Sequence, residues 1–433
     1  MKIFKNKFLL GLIIGVLFSS AVGVYAAISI MASDIGYSNS KTSATNVKDA
    51  LNELYDKVPT GGYTDSILHG ADPVLPNDLI PVTISNDGTV TYANVNEKWY
   101  SYEDKNWANA VKLVSSPSNT YSVGSTISSS DIDGYFVWIP RYKYELWNVG
   151  TTDVSSNTVP RTISVVFESS STSKSSGTKN GTYLTHPAFT FGSKELNGFW
   201  IGKFEMTGSS SKVTVLPNVK GYTQTSYVNN FTLAYNYNRN DDSHEIKNME
   251  WGAVAYLTAS SFGKNSEVYS SGSITTGCGN NSATGGSTST CINGFGTSSS
   301  YPQSTTGNIS GVFDMAGCNW EYVSAYVSGN YSLLGFGADP SSLYNSKYFN
   351  IYSASSTSNT SYSYRYLGDA TGEMGSFTSN ISSWYGDYGS IIFTGGPIYI
   401  RGGASGAISS DGLFGFLSLS GLNSSTTRIV LVS

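Results

Sequence analysis

The chain has 433 residues, of which 13% are charged, and its formal net charge is −5. This length leaves room for two or three domains, and the many glycine, tyrosine and small polar residues favour a β-rich, loop-rich extracellular protein over a helical cytosolic enzyme. The absence of a basic block beyond the first few residues argues against electrostatic binding to nucleic acid. Three cysteines without a CxxC pair argue against a zinc site.

Residues 1–26 are predicted to be an export signal or an N-terminal anchor. Lys2, Lys5 and Lys7 precede an apolar run over residues 8–24, which ends in a stretch of small residues typical of a cleavage site. We expect cleavage, with a retained membrane anchor as the alternative, since the run is almost long enough to span a bilayer. Either way, the rest of the chain is expected outside the cytoplasm, secreted by a bacterium or on its surface, with a phage origin also open.

Residues 27–62 are predicted to form a stalk around one short helix, Asn46–Lys57. Thr45 is a suitable N-cap, and the apolar residues fall at helical spacing, at Val47, Leu51 and Leu54. Because an isolated helix of this length is marginally stable in water, it either packs on a neighbour or self-associates as a short coiled coil.

A small β-rich module is predicted over residues 63–130. It contains a hairpin over Leu79–Ala93, in which alternating strands flank an Asn-Asp-Gly turn at Asn86–Gly88. The Ser/Thr-rich stretch 115–130 is interpreted as the boundary to a larger domain.

The remaining residues, 131–433, are predicted to form one α+β domain with long loops. Strands are expected at 135–147 and 198–207, and a helix at 249–260. Cys278 and Cys291 flank a Gly/Ser-rich loop, where they form either a disulfide, which is slightly favoured, or two unrelated thiols.

Several segments of this domain resemble, in their order along the chain, the formylglycine-generating-enzyme (sulfatase-modifying factor) family. They are FWIGKFEMT, MEWGAVAYL, TGNISGVFDMAGCNWEYV, IRGG and a terminal RIVLV. The resemblance covers roughly residues 133–433 and implies a C-type-lectin-like fold.

The oxidase members of that family carry a copper-binding cysteine pair after the RGG motif, and this chain has no cysteine after Cys318. We therefore expect a non-catalytic protein without copper. The resemblance also implies a structural calcium site formed by Asp314, Gly317, Asn319 and Glu321. Its alternative is that Glu321 caps or forms an ion pair within a buried turn.

The C-terminus, with LGDATGEMGSF, GGPIYIRGG, GLFGF and RIVL, most closely resembles the variable proteins of diversity-generating retroelements. In these proteins mutagenic copying of adenines turns AAY codons into NNY codons, which cannot encode Lys, Glu, Gln, Met or Trp. None of these five residue types occurs from Tyr385 to Ser433.

This second resemblance implies a variable tail over residues 389–427, held by scaffold residues that include Arg401, Phe414, Phe416 and Arg428. The residues expected to contact an unknown protein or glycan ligand are Ser390, Ile391, Phe393, Thr394, Ile398, Ile400, Ala404, Ser405, Ala407, Ile408, Ser409, Leu417, Ser418, Leu419, Leu422 and Asn423.

The sequence thus predicts an exported, non-catalytic receptor or adhesin that displays a diversified surface on a lectin-like scaffold. The main alternative is a fixed structural adhesin or phage-fibre-like surface protein, and an oxidase is the less favoured reading. The expected contacts are a ligand, a second copy through Asn46–Lys57, and a membrane only through an uncleaved N-terminus.

Overall fold

The computed structural model describes a sheet-rich α+β protein with few helices. It covers residues 62–149, 159–223, 226–279, 290–353, 366–374, 381–390, 392, 394–405, 411–419 and 425–432. Residues 63–433 belong to one compact unit, which begins at Tyr63. The predicted export segment and the predicted helix at 46–57 lie outside the described residues.

The strands are, in chain order, β1 Leu79–Ile84, β2 Val90–Tyr92, β3 Asn109–Leu113, β4 Thr126–Ile127, β5 Ile132–Pro140, β6 Tyr142–Glu145, β7 Val165–Phe167, β8 Tyr183–Thr185, β9 Thr190–Phe191, β10 Lys194–Glu195, β11 Gly198–Gly202, β12 Thr207–Ser209, β13 Lys212–Thr214, β14 His244–Glu245, β15 Glu321–Val327, β16 Asn350–Tyr352, β17 Ile381–Ser382, β18 Tyr388–Gly389, β19 Ile398–Gly402, β20 Gly412–Leu419, β21 Thr426–Thr427 and β22 Ile429–Leu431.

The α-helices are α1 Tyr227–Asn236, α2 Asn248–Thr258 and the single turn α3 Pro340–Leu343. Short 3₁₀ turns lie at Ser66–Leu68, Ser129–Asp131, Pro187–Phe189, Arg239–Asp241, Ser298–Gln303, Tyr331–Leu334, Ser346–Tyr348 and Trp384–Gly386.

The larger sheet has eight strands in the order β14-β22-β11-β5-β3-β1-β2-β4. Its first hairpin, β1–β2, turns where the sequence predicts, because the Asp87 carboxylate accepts hydrogen bonds from Ser85 Oγ and Thr89 N and Gly88 adopts a positive φ. β3 pairs with β5 over its whole length, with Val111 opposite Tyr135. Residues 63–130 are thus part of the same sheet as the rest, and the boundary predicted at residue 130 lies inside one compact unit.

The second sheet has the order β16-β15-β19-β20-β18-β17, with β21 paired to β15. Its central strands β15 and β19 are buried along their length, because both faces are covered by other elements. The last strands of the chain belong to different sheets. β19 and β20 are in the second sheet, whereas β22 lies between β14 and β11 in the eight-stranded sheet.

Helix α2 is buried on all sides, which explains why its sequence is apolar around its whole circumference. The Glu250 side chain accepts a hydrogen bond from Lys247 N and closes the first turn. Trp251 Nε1 donates to the carbonyl of Leu413, and Tyr142 Oη donates to the carbonyl of Ala253. Helix α2 therefore connects β20, in the second sheet, with β6, which belongs to a different sheet.

Candidate functional site

The antiparallel pair β19–β20 is the centre of the candidate ligand-binding surface. Ile398 lies opposite Leu419, and Ile400 lies opposite Leu417. Because directly opposed residues of neighbouring strands share one face of a sheet, these four side chains form a single apolar face. Ile398 and Ile400 are buried, whereas Leu417 and Leu419 are only partly buried.

The structure therefore divides the predicted ligand contacts into distinct groups. Ser390 is buried together with Ile398 and Ile400, so these three do not form part of a solvent-facing surface. The residues that are half-buried are Thr394, Ala404, Ser405, Leu417, Ser418 and Leu419. The positions that lie outside the described residues are Ile391, Phe393, Ala407, Ile408, Ser409, Leu422 and Asn423.

Arg401 is fully buried on the opposite face of β19 from Ile400 and links four segments by hydrogen bonds. Its Nε donates to the carbonyl of Gly415 at 3.0 Å, and its Nη1 donates to Asn248 Oδ1 at 2.7 Å. Nη1 and Nη2 also donate to the carbonyls of Asp369 and Ala370. The guanidinium thus holds β19, β20, α2 and the 369–370 turn in one arrangement, which only its planar fork of donors allows.

The start of β20 is fixed by close approach between Asp387 and Gly412. A Cβ atom on Gly412 would lie 2.0 Å from the Asp387 carboxylate, so this position requires glycine. The carboxylate in turn accepts a hydrogen bond from Phe414 N at 2.9 Å. Phe414 and Phe416 are buried, as their expected scaffold role requires.

The four residues of the expected calcium site have other partners in the structure. The Asp314 carboxylate accepts hydrogen bonds from Gly277 N and Gln303 Nε2, and burial raises its pKa to about 7. Asn319 donates from both its main-chain and side-chain nitrogens to Glu205, at 2.9 and 2.7 Å. The main-chain N–H of Gly317 donates to the carbonyl of Gly402.

Glu321 forms a fully buried ion pair with Arg428. Its two oxygens accept from Arg428 Nη2 at 2.7 Å and from Nε at 3.2 Å, while Nη1 donates to the carbonyl of Gly202. The bidentate pair thus uses both carboxylate oxygens of Glu321, as the alternative role of this residue in a buried ion pair predicts. Across the described ranges, no group of three or more His, Cys, Asp or Glu side chains has the geometry to hold a metal.

Chelation is accordingly expected to leave the melting temperature unchanged, because Arg428 already neutralises Glu321. The measurement compares thermal unfolding in EDTA with unfolding in excess calcium, with magnesium as the control for ionic strength. A melting temperature that falls in EDTA and is restored by calcium but not by magnesium would contradict this assignment.

Cys318, His186 and His244 are all fully buried. The free thiol of Cys318 is buried, and burial raises its pKa, so it lacks the exposed thiolate of a reactive cysteine. His186 is buried and its pKa is lowered to about 3, whereas the His244 ring is hydrogen-bonded to Glu250. Cys278 and Cys291 are joined as a disulfide that closes their loop.

Several buried ionisable residues were not predicted from the sequence, among them Lys203, Glu205 and Glu245. Lys203 Nζ donates to Asn109 Oδ1 and to the carbonyls of Ile309 and Gly311. It thereby fixes the loop that contains Ile309 and Gly311 to β3. The available signal is the pattern GFWIGKFEMT, where two charged residues interrupt an otherwise apolar run. Charges in such a run point to paired, buried groups, since isolated charges would be too costly there.

No protein-family model matches the chain, and no curated protein matches it. Over the residues that the structure describes, no helix has the length and apolar character needed to cross a membrane.

Proposed function

We propose that this chain is an exported, non-catalytic ligand-binding protein whose C-terminal domain has a C-type-lectin-like fold and displays a diversified surface. The observation that carries the proposal is the burial of Arg401, Phe414, Phe416 and Arg428, with exposed fractions of 0–1%. Half-buried positions follow two of them along the tail: Ala404 and Ser405 come after Arg401, and Leu417–Leu419 come after Phe416. A rigid scaffold that holds changeable surface positions is the arrangement that binding proteins such as antibodies use.

The half-buried part of the β19–β20 face is the part of this surface that contacts ligand in our proposal. Leu417 and Leu419 rest on the buried side chains of Ile400 and Ile398, which fix their positions while leaving part of each leucine in solvent. Apolar side chains on such a rigid support lose little entropy on binding. They would therefore act as anchors for a protein or glycan ligand.

The double substitution Leu417→Asn and Leu419→Asn tests this role, because asparagine is the residue that an AAY template codon encodes. A ligand is first found with a protein and glycan array probed by the purified chain. We expect the variant to fold, with a modest fall in melting temperature, and to lose at least about tenfold in affinity, as removal of interface anchors does.

The matched control is Leu413→Asn, on the same strand but fully buried, which is expected to lower the melting temperature far more. Unchanged affinity in the folded double variant would contradict the proposed contact surface. An array on which the wild-type chain binds nothing would leave the fixed structural adhesin as the better account.

A further inference from the structure

Glu245 on β14 is a fully buried carboxyl group without an ion-pair partner in the described part of the chain. Its Oε2 accepts a hydrogen bond from Ser324 Oγ at 2.9 Å, but its Oε1 has no hydrogen-bond partner. Burial raises its pKa to about 8. A carboxyl group in this setting is stable only in its neutral, protonated form at neutral pH.

The groups that face Glu245 come from three elements, and none of them is a cation. They are Tyr227 from α1, Ser324 from β15 and Thr427 from β21. Two nearby basic side chains are hydrogen-bonded to other carboxylates: His244 to Glu250, and Arg428 to Glu321.

Helix α1 carries two further buried polar atoms that lack partners, Tyr227 Oη and Asn230 Oδ1. These residues lie three apart in the chain and so occupy the same face of the helix. The amide of Asn230 also donates to the carbonyl of Ser425 at 2.8 Å, directly before β21. Helix α1 thus contributes polar atoms without hydrogen-bond partners to the buried region around Glu245. It also fixes the main chain at Ser425 through the hydrogen bond from Asn230.

We propose that the proton on Glu245 keeps α1 packed on the sheet, and that opening of α1, with release of the Ser425 carbonyl, is coupled to the loss of this proton. The other elements that surround Glu245 are strands held in sheets by hydrogen bonds. Helix α1, in contrast, has ten residues, and its N-cap, Ser226, makes no side-chain capping bond. Displacing α1 breaks no pairing between strands and so gives water a route to an ionised carboxylate.

The direction of the pH effect follows from linkage. With α1 closed, Glu245 keeps its proton up to about pH 8, whereas a solvated glutamate loses it near about pH 4.3. The closed state therefore binds one more proton than the open state between these values. Each rise of one pH unit in this window is expected to increase the opening equilibrium about tenfold.

The test is hydrogen exchange of the full chain between pH 5.5 and 7.5, with rates converted to protection factors to remove the intrinsic effect of pH. In wild type, protection of residues 227–236 is expected to fall about tenfold per pH unit, while protection of α2 does not follow that slope. In Glu245→Gln, which mimics the protonated acid, α1 is expected to keep its protection throughout.

Glu373→Gln is the matched control. Glu373 is also buried with a pKa raised to about 7, but its carboxylate is bonded to Gly368 N and to Tyr144 and Tyr256, away from α1. This variant is expected to keep the wild-type slope at α1. A pH-independent α1 in wild type, or an unchanged slope in Glu245→Gln, would overturn the proposal. The wild-type result decides even if a variant fails to fold.

Discussion

Replacing Arg428 by leucine is expected to destabilise the folded chain by roughly 3–5 kcal/mol, as loss of one partner from a buried ion pair does. The substitution leaves the Glu321 carboxylate fully buried without its cation, and it also removes the donor to the carbonyl of Gly202. Asp314 and Glu205 would add to the penalty, because their charges also act on Arg428. Chemical denaturation of wild type and variant measures this free energy.

The double variant Arg428→Leu with Glu321→Leu is the control for this prediction. It removes both charges and is expected to recover part of the lost stability, because an apolar pair of similar volume often replaces a buried ion pair without loss. Acid should also partly rescue Arg428→Leu, since protonation of the unpaired Glu321 removes its charge. A single variant as stable as wild type would show that the pair is solvated and the scaffold wrongly assigned.

Arg401→Met is expected to destabilise the chain by roughly 3 kcal/mol or more, because it leaves several buried acceptors without donors. The affected acceptors belong to Gly415, Asn248, Asp369 and Ala370. Arg401→Lys is expected to recover only part of this loss, since one ammonium group cannot reach acceptors on four sides.

The control for the loss of an arginine as such is Arg161→Met, at an exposed position, which is expected to change stability by less than about 0.5 kcal/mol. Urea unfolding of the three variants ranks them. Equal stability of Arg401→Met and Arg161→Met would contradict the role of Arg401 as the link between β19, β20 and α2.

The features that depend on local sequence could be predicted. The hairpin β1–β2 follows from an Asn-Asp-Gly turn between alternating strands, and α2 follows from the spacing of its apolar residues. The strand expected over 135–147 is instead divided at Arg141, whose buried side chain pairs with Glu195. Pro140, which has no main-chain N–H, stands at this division as a local signal, whereas no local pattern records the Glu195 partner more than fifty residues away.

The features that depend on distant pairing could not be predicted. Residues 63–130 resemble a separate module because polar sequence follows them, yet β3 pairs with β1 on one side and with β5 on the other. The ion-pair partner of Glu321 could not be named from the sequence for a similar reason, since Arg428 lies 107 residues further along the chain. Ile398 and Ile400 resemble exposed apolar residues in sequence and are buried because other elements cover both faces of β19.

Sequencing this gene across a population shows whether the tail varies on a fixed scaffold. We expect changes to concentrate at adenines in the codons of residues 389–427, while the codons for Arg401, Phe414, Phe416 and Arg428 stay constant. An adjacent template repeat that differs only at adenines should accompany them. A tail that never varies, or changes that fall equally on the buried scaffold codons, would contradict the account.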